Sequence, residues 1–332
     1  MPVTPDPIDI TVDHVELDGA ITRVTRVEST ADDSARPFIL VAGVGVAAYY
    51  FEFLAPTLAL RGDVFALDLP GFAGMPRPDN QPTAGFFADH VQAVIDHYGL
   101  ENPVLIGHSM GTQIVTELLI RRPDLTHAVL ISPVINDAER ALPVAALRFG
   151  QSAARESLHL ALTAFSAYLL CGVVYFLTVL PHMLRYRIVE RVGRTEAKIL
   201  FIRGEFDTTS PRRFHSRLIA AAADAWRWEI EGAAHSIING HAVGVAELTV
   251  GHIDGTLARR GRLSSAEAAV PPPRWAGAAM VWEAFASRAA EWFSALRGDE
   301  KGVARAKARH ARILWEAYAP SGASARASNR RR

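Results

Sequence analysis

The stretch Gly107-His108-Ser109-Met110-Gly111 follows the apolar run Val104-Leu105-Ile106 and precedes a helix-like segment, Thr112 to Arg122. Strand, sharp turn and helix in that order hold a serine hydroxyl clear of the backbone, and small flanking residues let strand and helix approach. A serine hydroxyl is a weak nucleophile at neutral pH. It needs a base within hydrogen-bond reach and a third group to orient that base. Downstream, Asp207 follows the apolar run Ile199-Leu200-Phe201-Ile202, and His235 follows Trp226 to Ile230. Each candidate lies just past a strand end, where a parallel sheet presents its loops. Asp137 and Glu205 are rival acids. His241 and His252 are rival bases, although both fall in a helical stretch. His108 adjoins the serine, but its side chain is expected to point away and to be structural.

The elements that must position these groups are legible as periodicities. Val12 to Leu17 and Ala20 to Val27 flank Asp18-Gly19, which predicts a hairpin. Phe38 to Val41, Val64 to Leu67, Ala128 to Ile131, Lys198 to Ile202 and Ala225 to Ile230 read as short strands. Ala47 to Leu60, Thr83 to His97 and Pro211 to Ala223 read as helices. This alternation predicts an α/β fold, a mostly parallel sheet with helices on both faces.

With these residues identified, the chain resembles the α/β-hydrolase superfamily, in its branch of capped, esterase-like serine hydrolases. The resemblance spans roughly residues 10 to 258. It rests on Gly107 to Gly111, on Gly204-Glu205-Phe206-Asp207 with Pro211, and on Gly232 with His235. The order Ser, Asp, His is the one this fold uses. The resemblance implies that Ser109 attacks a carbonyl, His235 takes and returns the proton, and Asp207 holds the imidazole. It also implies an oxyanion hole formed by the backbone N–H groups of Met110 and Val44. Relatives have His-Gly where this chain has Ala42-Gly43, and Gly where Ala73 stands. Asp68 is expected to be structural. No Gly-x-Gly-x-x-Gly opens a helix after the first strand, and no His/Cys cluster has metal spacing, so neither cofactor nor metal is expected.

The 332 residues carry no formal net charge, which argues against a nucleic-acid partner. The single cysteine, Cys171, allows no internal disulfide and fits a reducing compartment. Met1 to Ile10 lack the pattern of a secretory signal, so a cytoplasmic location is expected, with membrane association left open.

The division expected is a core over 10–134 and 197–258, a helical cap over 135–196 and a helical extension over 259–332. The cap is unusual, for no Lys, Arg, Asp or Glu lies between Glu156 and Arg185. Leu160 to Leu180 passes the crude length test for a membrane span. A span there would separate the two halves of the sheet, so a cap over the serine is the expectation. Phe165, Tyr168 and Phe176 would then line an acyl pocket. Arg185 and Arg187 would be surface or cap-anchoring groups, or partners for a substrate carboxylate.

Beyond a linker at Ser264 to Pro273, Val281, Trp282, Phe285, Ala289, Trp292, Phe293 and Leu296 share one helical face. A second helix, Val303 to Tyr318, sets Lys301, Arg305, Arg309 and Arg312 away from Val303, His310, Ile313 and Leu314. Arg326, Arg330, Arg331 and Arg332 end a basic tail. Three roles are open for these helices and the cap: packing on the body, a homodimer, or peripheral contact with an anionic membrane.

The function these readings support is cleavage of a carboxylic ester of a small apolar substrate through an acyl-enzyme. The alternatives are hydrolysis of a C–C bond next to a ketone, and a ligand-binding protein on a hydrolase scaffold.

Overall fold

The computed structural model describes residues 9–29, 35–156, 158–274 and 277–318. Its strands are β1 (Ile10–Leu17), β2 (Ala20–Val27), β3 (Phe38–Val41), β4 (Val64–Asp68), β5 (Val104–His108), β6 (His127–Ile131), β7 (Lys198–Gly204), β8 (Asp224–Ile230) and β9 (Arg260–Leu263). The helices of the first half are α1 (Leu54–Leu58), α2 (Ala84–Tyr98), α3 (Gly111–Arg121), α4 (Leu142–Ala153), α5 (Leu158–Cys171), α6 (Val173–Arg185) and α7 (Ile188–Val192). Those of the second half are α8 (Arg212–Ala221), α9 (Ile237–Gly240), α10 (Ala242–Ile253), α11 (Ser265–Ala268), α12 (Ala278–Leu296) and α13 (Glu300–Tyr318).

The nine strands form one sheet in the order β1-β2-β4-β3-β5-β6-β7-β8-β9. The β1–β2 hairpin turns through Asp18 and Gly19, both at positive φ, and β2 runs antiparallel to β4. Every other pairing is parallel. Successive side chains of a strand face opposite sides, so each central strand feeds two cores. Ile39, Leu105, Leu130 and Phe201 meet α2, α3 and α8 on one side. Leu40, Ile106, Ile131 and Ile202 meet α1 and α10 on the other. This is the α/β-hydrolase fold. Its parallel strands all end at one edge, so the loops after β3, β5, β6, β7 and β8 gather there.

Three expectations are corrected. Ala47 to Leu60 is not one helix; a 3-10 turn over Ala48–Phe51 precedes α1. Pro56 lacks an N–H and so can sit only in a first turn, as it does in α1. Over Leu160 to Leu180 the chain forms two helices, α5 and α6. The chain breaks at Gly172, at φ +76°, and the two helical pieces are bent by 96°. Among the described residues no single helix is long and apolar enough to cross a membrane, though this bent pair passes the test together. The sheet runs past residue 258, because β9 pairs with β8. The linker begins as structure, for Ser264 and Glu267 form a capping box on α11.

Helix α12 turns its apolar stripe outward. Its inward face is Ala284, Ser287, Glu291 and Ala295, not the apolar stripe. Small residues let the helix approach closely: a Cβ added at Gly74 would stand 3.0 Å from Ala295 Cβ. The groove it fills is lined by charge. Arg288 reaches Glu52 and Glu291, both at 2.5 Å. On α13, Lys307 Nζ lies 3.1 Å from Asp68 Oδ2 and 3.6 Å from Glu291 Oε1. Arg23 of β2 joins Asp68 at 3.0 Å and Glu300 at 2.7 Å. Val303, His310 and Ile313 of α13 are buried and Lys301, Arg305, Arg309 and Arg312 exposed, as their spacing predicts. The tail from Arg326 to Arg332 lies outside the described residues.

Candidate active site

Ser109 stands at the turn between β5 and α3 with φ +55°, a left-handed conformation that strains any residue with a side chain. The turn is closed by Ser109 N–H to Ile131 O at 3.0 Å and by Thr112 N–H to Ser109 O at 3.0 Å. Its glycines are steric requirements. A Cβ at Gly107 would lie 2.5 Å from Gly111 O, and one at Gly111 would lie 2.1 Å from Val41 O. The loop after β3 presses on the same serine, with the Cβ position of Gly43 3.0 Å from Ser109 Cβ. Among the described residues, neither the Val44 nor the Met110 N–H donates to another backbone carbonyl.

Asp207, in the loop after β7, is fully buried. Its Oδ1 accepts from Thr209 N–H at 3.0 Å, Ser210 N–H at 3.1 Å and Thr209 Oγ1 at 2.6 Å. Its Oδ2 lies 3.0 Å from His235 Nδ1. Burial alone would raise the pKa of this carboxyl, but the histidine and the hydrogen bonds outweigh it and hold it well below the usual carboxylate range. For His235, burial opposes the charged form while Asp207 and, more weakly, Glu156 favour it; the net shift is upward. The ring is thereby held with Nδ1 protonated toward Asp207. Nε2 is buried and has no hydrogen-bond partner among the described residues.

The backbone of His235 is pinned as well. Its carbonyl accepts from Ser132 Oγ at 2.9 Å and from His108 Nε2 at 3.1 Å. Burial first of all pushes His108 down to about 3, so this ring stays neutral and serves as a donor. The rivals are engaged elsewhere. Asp137 pairs with Arg140 and Arg217, and Glu205 accepts from Gly232 N–H. His241 bonds Ser265 Oγ, and His252 Nε2 donates to Lys198 O.

Ser109, His235 and Val44 line one cavity of about 500 Å³ together with Phe165, Tyr168 and Phe176. Asp207 lies behind the histidine, and Met110 is the N-cap residue of α3. The insertion over the cavity is anchored at several points. Tyr175 hydroxyl donates to Pro70 O at 3.1 Å, and Gln113 Nε2 donates to Met183 O at 3.2 Å. Tyr49 hydroxyl shares a 3.1 Å bond with Ser166 Oγ. Phe149, Tyr168 and Phe176 form a chain of ring contacts that ends on the His235 ring. Arg185 and Arg187 do not line the cavity; Arg187 faces Glu190 on the surface. Among the described residues no group of His, Cys, Asp or Glu could hold a metal.

Sequence reasoning missed Glu156. It marks the start of the uncharged stretch, but nothing in the sequence reveals its partner. Glu156 lines the cavity and accepts from Ser236 N–H, next to His235, at 2.8 Å. Burial raises its pKa and weakens that charge, yet it still favours protonated His235. Glu156→Gln keeps an acceptor for Ser236 and removes the charge. A base acts when neutral, so the acid limb of the kcat/KM profile should move to lower pH as His235 becomes less basic. An unmoved limb would show that Glu156 only ties the insertion to the histidine loop.

Residues 36–169 match the family model described as alpha/beta hydrolase fold. Among curated proteins, a probable 1-acylglycerol-3-phosphate O-acyltransferase of Oryza sativa subsp. japonica is 27% identical over 116 residues, which is 33% of this chain and 28% of that protein. The uncharacterized hydrolase YugF of Bacillus subtilis (strain 168) is 31% identical over 94 residues, 28% of this chain and 34% of that protein. The matches thus span about a third or less of these relatives. Among solved structures, 2-hydroxy-6-oxo-6-phenylhexa-2,4-dienoate hydrolase from Rhodococcus sp. strain RHA1 superposes with a TM-score of 0.62 at 16% identity, covering 74% of this chain and 99% of that one. Est816, described as an N-acyl homoserine lactone degrading enzyme, gives 0.62 at 18%, covering 74% and 100%. Carboxylesterase CesB from Bacillus subtilis gives 0.58 at 16%, covering 76% and 94%. At these identities the likeness is one of fold.

Proposed function

We propose that this chain, which has the α/β-hydrolase fold and matches that family's model over residues 36–169, is a serine hydrolase that cleaves a carboxylic ester of an apolar substrate through an acyl-enzyme. The observation that carries this reading is the Asp207–His235 pair at 3.0 Å, with Nε2 unpartnered beside the cavity that the strained Ser109 also lines.

In this mechanism Nε2 takes the Ser109 proton as Oγ bonds to the carbonyl carbon. The carbonyl electrons move to oxygen, and the Met110 and Val44 N–H groups stabilise that charge; losing one such donor typically costs about 100- to 1000-fold. Collapse re-forms the carbonyl and breaks the ester C–O bond, and the imidazolium protonates the departing alcohol. Water then repeats the sequence on the acyl-enzyme and releases the acid. Est816 and carboxylesterase CesB are named for lactone degradation and carboxylic esters, which is consistent with this reading.

The cavity suits an apolar acyl group. It falls within the roughly 300–1,000 Å³ of small-molecule sites, and Phe165, Tyr168 and Phe176 belong to its wall. At about 0.8 kcal/mol per buried methylene, the four added methylenes should raise kcat/KM from acetyl to hexanoyl esters by up to about 200-fold. An enzyme that cleaved acetyl esters far faster than hexanoyl ones would refute the apolar-acyl assignment. Product analysis on a vinylogous diketone beside the ester panel separates ester hydrolysis from C–C cleavage.

A further inference from the structure

Helix α12 is amphipathic the wrong way round for a soluble surface. Trp282, Phe285, Phe293 and Leu296 recur at helical spacing and are 67%, 61%, 60% and 66% exposed. The opposite face, which carries charges, is the buried one. A second apolar surface lies on the insertion. At the bend between α5 and α6, Val173 and Val174 are each 68% exposed, flanked by exposed Leu169 and Leu177. The two surfaces belong to helices in contact, for α12 packs on α5 and Trp292 lies beside Ala167. Exposed apolar area on this scale marks an interaction surface.

Two features select the partner. The first is charge. On α13, which pairs with α12, Lys301, Arg305, Arg309 and Arg312 form an exposed row at spacings of three and four. Of these, Arg305 and Arg309 make only long, exposed contacts, with Asp299 at 3.9 Å and Glu283 at 3.7 Å. An apolar stripe beside a basic row matches acyl chains beneath anionic headgroups. The second is continuity with the cavity. Phe165, Leu142 and Phe149 line it and are also among the exposed large apolar residues. Part of the cavity wall is therefore also apolar exterior.

We infer that the bend between α5 and α6, together with the outward stripe of α12, docks the protein on an anionic lipid bilayer. This surface goes beyond the proposed reaction and does not depend on it.

Flotation of the purified full chain with vesicles tests it, using phosphatidylcholine with and without phosphatidylglycerol. The wild type and Ser109→Ala should both float with the anionic vesicles, and less with neutral ones or in high salt. The double variant Trp282→Ser/Phe285→Ser should lose about tenfold or more of that partition while keeping its melting temperature and its rate on a short water-soluble ester. Val173→Ser/Val174→Ser, at the bend, should weaken it in the same way. Failure of the hydrolase reading would leave flotation untouched. The inference is overturned if the wild type stays with the aqueous phase, or if the double variants float as well as the wild type. It is also overturned if light scattering finds a dimer that Trp282→Ser/Phe285→Ser splits and no vesicle binding accompanies it.

Discussion

If the proposed serine-hydrolase reading holds, Ser109→Ala should lower ester hydrolysis by a factor on the order of a million, the scale seen when a serine nucleophile is removed from such a constellation. Fluorophosphonate labelling disappears with it. The reason is geometric. The positive φ of Ser109, the close approach of Gly43 and the unpartnered Nε2 of His235 meet at one cavity. Removing the hydroxyl leaves the polarising groups in place but no atom to carry the acyl group. The variant should keep its melting temperature, because no hydrogen bond in the fold depends on Oγ among the described residues. Stopped assays and mass spectrometry of the labelled protein give both readouts. A variant that retained more than about one hundredth of the activity would place the nucleophile elsewhere and end the acyl-enzyme account.

Lys307→Met should destabilise the fold by about 3–5 kcal/mol, the cost of breaking a buried ion pair from one side. The Lys307 side chain is only 6% exposed and that of Asp68 is fully buried. Without the ammonium group, Asp68 and Glu291 share too little positive charge for their burial. Burial itself raises the pKa of Asp68, and Lys307 and Arg23 more than reverse that, leaving it below the usual range. A carboxylate with a depressed folded pKa contributes its stability above its unfolded pKa and loses it as pH falls through the folded value. The gap between wild type and Lys307→Met should therefore be full at neutral pH and narrow on acidification. Asp68 Oδ1 also accepts from Ala48 N–H at 2.5 Å, just after the loop that holds Val44. Damage at α13 thus reaches the neighbourhood of Ser109. Urea unfolding measures the loss, with exposed Lys301→Met as a control expected to stay within about 0.5 kcal/mol. A Lys307→Met midpoint equal to that control would mean that the Lys307–Asp68 pair adds nothing to the hold on the extension.

Much of the fold was legible because its signals are local. Asp18-Gly19 allows the positive φ values its hairpin needs, and apolar runs of four to seven residues mark the central strands. Where a local signal was ambiguous, the reading went astray. The helix pattern over Ala47 to Leu60 could not show where Pro56 would force a new start.

The sequence by itself determined the sheet, the tight turn at Gly107 to Gly111 and the short list of acids and bases past its strand ends. Those follow from backbone sterics and from apolar periodicity, which act between near neighbours. The tertiary structure sets Asp207, already favoured by the resemblance over Asp137 and Glu205, against His235. It also brought Glu156 to Ser236, eighty residues away in the chain. And it decided which face of α12 turns inward. Periodicity groups Trp282, Phe285 and Phe293 on one side, but the groove is lined by Glu52 and Asp68 from distant parts of the chain, and buried charge must be met by charge.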